Sequence, residues 1–233
     1  MATLSPGTSI GEIAEIIHAA VLLGPAAWGR EPMPEAHLKA DIEDKLKSQL
    51  TELFHLLQQR KIPYLLVGGI AILTYVQGRN TNDVDLVLSV DSLKSLPEVA
   101  VLEQNPDFAH GRFGDLVVDF LLTANPLFDL VAKKHRTIHR FLEMDLHCAT
   151  IEGLVLLKLF ALPSLYRQGL SSKIGLYEND IYVLYELERP DTEPMLKELA
   201  PFVTEGQLTE LRSIIDEIKQ RVARLDRAKS SNP

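Results

Sequence analysis

"LLVGGIAILTYVQGRNTNDVDLVLS", residues 65–89, sets two glycines, an arginine and two aspartates between two apolar runs. The segment "KIPYLLVGG" reads as a short buried strand ending at Gly68 and Gly69. "IAILTYV" (70–76) fits strand or helix by periodicity alone, and its length, the preceding Gly-Gly and the closing Gly78 favour a short helix. "DVDLVLS" (83–89) alternates, with Val84, Leu86 and Leu88 on one face and Asp83, Asp85 and Val87 on the other. Asp83 and Asp85 therefore project from the same side of a strand, where two like charges repel. A divalent cation removes that conflict, since Mg²⁺ takes carboxylate oxygens and completes its shell with water and phosphate oxygens.

A third carboxylate, Asp119, lies in the apolar strand "DLVVDFLL" (115–122), where an unpaired buried charge is costly. Three carboxylates on neighbouring strands suit a two-metal site. The glycines suit a phosphate, because a strand-to-helix turn without Cβ atoms lets backbone N–H groups approach a ligand. Together these features describe a nucleoside triphosphate bound with Mg²⁺, and Arg79 is placed to contact a phosphate or pair with a carboxylate. A pairing of Asp119 with Arg112 is the structural alternative.

At this point the residues resemble the nucleotidyltransferase superfamily, whose fold is shared with polymerase-beta-like enzymes. The order Gly68, Gly69, Arg79, Thr81, Asp83, Asp85 is similar to the Gly-Gly and Arg-x-Thr-x-Asp-x-Asp pattern of the branch containing abortive-infection and toxin–antitoxin nucleotidyltransferases. Leu157, Lys158, Leu159 and Ala161 resemble that branch's Leu-Lys-Leu-x-Ala helix, and the likeness runs over about residues 60–188. The resemblance implies Asp83, Asp85 and Asp119 as catalytic metal ligands, with Asp119 also near the acceptor hydroxyl. It implies Gly68, Gly69, Arg79 and Thr81 on the nucleotide side, with Lys158 a nucleotide-side or structural lysine of its helix, and snorkelling of Lys158 to the surface is the bland alternative. Two departures stand out. Gly69 occupies a position where the family often has serine. Tyr177 stands three residues before Asp180, where the family often carries Lys-Asp, leaving Lys173 and Asp180 as auxiliary candidates.

The activity implied is transfer of a nucleoside monophosphate from an NTP to an acceptor hydroxyl on tRNA, protein or a small molecule, with a cognate toxin or antitoxin partner. An antibiotic-type enzyme with a small-molecule acceptor and a catalytically silent binding or antitoxin protein are the alternatives. A CCA-adding enzyme fits less well, because Ile70-Ala71-Ile72 stands where that enzyme carries Arg-Asp.

The rest of the chain frames this core. Its 233 residues suffice for a buried core, and a composition of 46% hydrophobic and 24% charged residues excludes wholesale disorder. A net charge of −8 argues against a basic sheath for nucleic acid, although 24 Lys and Arg remain to form local patches such as "KKHRTIHR" (133–140). That run, with His135 and His139, reads as surface. Cys148 is the only cysteine, which rules out an intrachain disulfide and fits a reducing compartment. The apolar stretch 13–28 is interrupted by Glu15, His18 and Gly24-Pro25, too short to span a bilayer and too poor in basic residues for a signal peptide. A cytoplasmic protein without membrane contact is expected.

Amphipathic helices are expected over 9–23 and about 35–60, with a breaker-rich linker over 24–34 between them. A helix over 126–133, one strand over 137–148, a helix over 150–162 and helices from Asn179 to about Arg227 complete the chain. The fold class expected is α+β, with a mixed sheet. Its divisions are an N-terminal helical extension (1–60), a nucleotidyltransferase core (61–148) and a C-terminal helical region (149–233).

Overall fold

The computed structural model describes residues 35–76, 81, 83–141 and 144–230. The expected helix over 9–23, the linker after it, and Gly78 and Arg79 lie outside these residues. The chain divides into two compact units, residues 1–149 and 150–233.

The first unit is built on a mixed seven-stranded sheet in the order β3-β4-β5-β2-β1-β7-β6. Helix α1 (Glu35–Gln59) precedes it, burying Leu50, Leu53, Phe54 and Leu57 at helical spacing. Strand β1 (Leu65–Val67) runs straight into the short helix α2 (Gly68–Leu73), as the Gly-Gly junction predicts. Strand β2 (Asp83–Leu88) pairs antiparallel with β1 on one side and parallel with β5 (Leu116–Leu122) on the other.

The β2–β5 register is fixed by the core. Val84, Leu86 and Leu88 face Val118, Phe120 and Leu122 across the ladder, and all six are at most 2% exposed. Each such side chain contributes roughly 1.5–3 kcal/mol of burial. A slip of β2 by one residue would turn Val84, Leu86 and Leu88 outward and drive Asp83 and Asp85 into the core. The opposite face is not uniformly open, for Val87 is buried there beside the half-buried Asp83 and Asp85.

Residues 90–113 carry no strong period and fold as α3 (Val90–Lys94), β3 (Val99–Gln104) and β4 (Phe108–Phe113). Strand β3 ends the sheet, and every residue after Val99 in it is exposed, which explains why no alternation marks it. Strands β4 and β5 form a hairpin whose turn is Gly114-Asp115. Gly114 has φ +61°, and a Cβ there would lie 2.2 Å from Nε2 of Gln49. Helix α4 (Pro126–Lys134) is opened by the Asn125 side chain, which accepts from the Leu127 amide at 3.0 Å, with Pro126 in the first turn.

The single strand expected over 137–148 is instead two, β6 (Arg136–Phe141) and β7 (Met144–Ala149), paired antiparallel. A twelve-residue strand would run about 40 Å, twice the usual length, and period-two alternation does not mark where a tight turn doubles it back. Strand β7 pairs parallel with β1 through Leu66 and Cys148. Burial pushes the Cys148 thiol up to about 12. His139, expected on a solvated face, is half-buried, its ring edge-on to Tyr75 at 5.0 Å.

The second unit is helical. Thr150 caps α5 (Ile151–Arg167) by accepting from the Gly153 amide; α6 (Ser171–Glu188) and α7 (Thr192–Leu199) pack on α5, and α8 (Glu205–Ser230) packs on α6 and α7. Among the described residues no helix is long and apolar enough to cross a membrane. The architecture is α+β with a mixed sheet, as the pattern of elements predicts.

Candidate active site

The sheet register sets the site. Asp85 lies opposite Val67 of β1 on one side and Asp119 of β5 on the other, and Asp119 lies opposite His110 of β4. His110, Asp119 and Asp85 thus stand in one row across three adjacent strands. Asp83, two residues before Asp85, projects from the same face. Asp83, Asp85 and Asp119 each offer a carboxylate oxygen within 4.8 Å of the other two. All three are half-buried, so their charges are only partly screened by water.

Each part of the cluster has a local device. Thr81 is 5% exposed, and its hydroxyl donates to Oδ1 of Asp83 at 2.9 Å. His110 Nδ1 lies 2.5 Å from Oδ1 of Asp119. Gly68 has φ +65°, and a Cβ built on it would fall 1.7 Å from Oδ2 of Asp85. Only glycine meets both demands: the left-handed backbone, and the space that the Asp85 carboxylate fills. Gly69 is buried in the first turn of α2.

The Asp119 side chain is 37% exposed rather than sunk in its strand, since strict alternation turns Val118 and Phe120 inward and Asp119 toward the half-open face. Its partner is not Arg112, whose ladder neighbour is Val117. His110 was not legible as a site residue from motif spacing. The signal that locates it is the Gly114-Asp115 turn: a two-residue hairpin there pairs Phe113 with Leu116, and three steps back along each strand pairs His110 with Asp119.

The donor set fits a hard divalent cation. Three carboxylates and no thiolate offer oxygen ligands alone, and gathering them without a cation sets like charges against one another.

The remaining candidates belong to the second unit. Lys158 on α5 does not snorkel to the surface. Its Nζ lies 2.8 Å from Oδ2 of Asp180 on α6, with the side chains 8% and 1% exposed. The same ammonium sits 3.9 Å from the centroid of the Tyr177 ring. Lys173 is exposed near the start of α6.

No family model matches the chain, and no curated protein matches it. Among solved structures the chain is similar to an antigenic nucleotidyltransferase-like protein from Paracoccidioides brasiliensis, at 24% identity and a TM-score of 0.46, over 74% of this chain and 93% of that one. It is also similar to the antibiotic-resistance factor ANT(2'')-Ia. The solution structure gives 14% identity and a TM-score of 0.45 over 79% of this chain and 97% of that one. The crystal structure with adenylyl-2''-tobramycin gives 13% and 0.46 over 71% and 96%.

Proposed function

We propose that the protein is a metal-dependent nucleotidyltransferase that moves a nucleoside monophosphate from an NTP to an acceptor hydroxyl. The observation that carries this reading is the convergence of Asp83, Asp85 and Asp119 within 4.8 Å, beside a glycine whose missing Cβ makes room for Asp85. Asp83, Asp85 and Asp119 would hold Mg²⁺, which supplies charge neutralisation for the triphosphate and the departing pyrophosphate. Gly68 and Gly69 would open the backbone for the triphosphate, and Arg79 is assigned to the same ligand by the sequence pattern alone. The acceptor oxygen attacks the α-phosphorus, its proton passes to Asp119, and the bond to pyrophosphate breaks. Thr81 keeps the Asp83 carboxylate in place by hydrogen bonding. Lys158, paired with Asp180 inside the helical unit, serves as a structural lysine of its helix.

The finer assignment, to the abortive-infection and toxin–antitoxin branch with an RNA or protein acceptor and a cognate partner, rests on the Arg79-x-Thr81-x-Asp83-x-Asp85 pattern. The test is label transfer from each α-labelled NTP in Mg²⁺, with and without tRNA, beside an Asp83→Ala, Asp85→Ala double variant. Label on RNA or on protein, lost in the variant, is the expected result. Label appearing only with a hydroxylated small molecule would move the acceptor to the antibiotic-type class. Nucleotide binding without transfer to any acceptor would leave a silent binding protein.

A further inference from the structure

His110 is bound to a member of the carboxylate cluster without belonging to it. Its Nδ1 meets Oδ1 of Asp119 at 2.5 Å, yet the group whose ligand atoms lie mutually within 4.8 Å contains only the three aspartates. The pairing is built by the fold, since β4 and β5 place the two residues directly opposite each other. Packing alone does not hold Asp119, whose side chain is 37% exposed and whose terminal torsion is intrinsically broad. A short hydrogen bond from a ring that is itself tied to the next strand fixes the plane of the carboxylate. It commits one oxygen to His110 and leaves the second uncommitted by this bond.

At the other end of the cluster the Thr81 hydroxyl does the same for Asp83. The two carboxylates are therefore each held by one side chain from outside the ligand set. A hydrogen bond from outside the ligand set orients a ligand without replacing it.

We infer that His110 is a positioning residue of the metal site: it orients Asp119 so that the third carboxylate is preset for a divalent cation. This rests on the nucleotidyltransferase reading of the three aspartates. The bond is made by Nδ1, the ring nitrogen nearer the backbone, and an asparagine amide nitrogen stands at a similar reach. His110→Asn therefore keeps the donor, and His110→Ala removes it.

The test is Mn²⁺ binding to the full chain, followed by the loss of the free-ion paramagnetic signal, with a thermal melt in chelator alongside. Wild type, His110→Ala, His110→Asn and the Asp83→Ala, Asp85→Ala double variant are compared. The expected result is that His110→Ala binds Mn²⁺ roughly tenfold or more weakly, the usual order for losing a hydrogen-bond partner of a ligand. His110→Asn should recover most of that loss, and the metal-free melts should coincide. A His110→Ala protein that binds Mn²⁺ as wild type does, or an asparagine variant as weak as alanine, overturns the inference and leaves the metal site standing. Wild type binding no better than the double aspartate variant overturns the metal-site reading itself, and His110 with it. If His110→Ala does not fold, His110→Asn against His110→Leu carries the same comparison.

Discussion

Asp180 in the helical unit and the three aspartates of the sheet are treated in opposite ways. Asp180 is buried against Lys158 at 2.8 Å, with the Tyr177 ring under the ammonium, so charge is balanced and water excluded. Asp83, Asp85 and Asp119 are brought together with their like charges, half-open to solvent, and the bonds to Asp83 and Asp119 come from a hydroxyl and an imidazole. The first arrangement serves the fold, because each ion offsets the other's lost hydration. The second sets like charges against one another, and under the proposed function a divalent cation would offset them. Gathered like charge held by strand register is what the proposed metal site rests on, whereas a dry pair of opposite charges marks a structural role.

Breaking the balanced pair is the largest effect expected. Asp180→Ala strands the Lys158 ammonium in the helical unit and should cost about 3–5 kcal/mol, read as a lower midpoint in urea unfolding. A loss below about 1 kcal/mol would mean that Lys158 reaches water and that the two groups do not differ as described. Gly68→Ala is next. The new methyl group has to displace the Asp85 carboxylate and accept a left-handed backbone, at a cost of about 1–3 kcal/mol. Mn²⁺ affinity should fall with it, since the strain is relieved by moving a ligand.

The triad should respond with the opposite sign. Asp83→Asn keeps an acceptor for Thr81 and removes one of three like charges, so the metal-free protein should gain up to about 1 kcal/mol while metal binding is lost. A clear destabilisation in chelator would show that Asp83 serves the fold instead. The smallest effect concerns His139, whose imidazole is held below its usual pKa by burial and whose Nε2 is buried without a partner. The unfolded chain takes up this proton near 6.5 and the folded chain only at lower pH, so stability present above that value is lost on acidification below it. His147 is depressed in the same direction, by burial and then by nearby Arg136, and shares the slope. His139→Phe keeps the edge-on contact with Tyr75 and removes the unmet nitrogen. Urea midpoints at about pH 7.5 and about pH 5.5 should draw closer together than in wild type, on either side of the ordinary histidine value.

Much of the site was legible because its determinants are local. The Asp83 and Asp85 carboxylates share a face by strand period, and Gly68 declares a backbone that other residues avoid. His110 was not, because no motif points to it and only the register of the Gly114-Asp115 hairpin sets it opposite Asp119. Strand β3 escaped notice because an exposed edge strand needs no alternation, and the β6–β7 hairpin because alternation survives a reversal of direction. Lys158 carried a motif signal but not its environment: sequence spacing placed it on an apolar helix, and only the packing of α5 on α6 supplied Asp180 and Tyr177 as its partners.

What the sequence determined by itself was the set of elements strong in period or punctuation, and the chemistry those elements carry: a glycine turn, two carboxylates on one strand face and a third on another. The tertiary structure alone decided that Asp119 stands opposite Asp85. The physical reason is that side-chain direction follows from the next few residues, whereas strand partnership is chosen by burying Val84, Leu86 and Leu88 against Val118, Phe120 and Leu122.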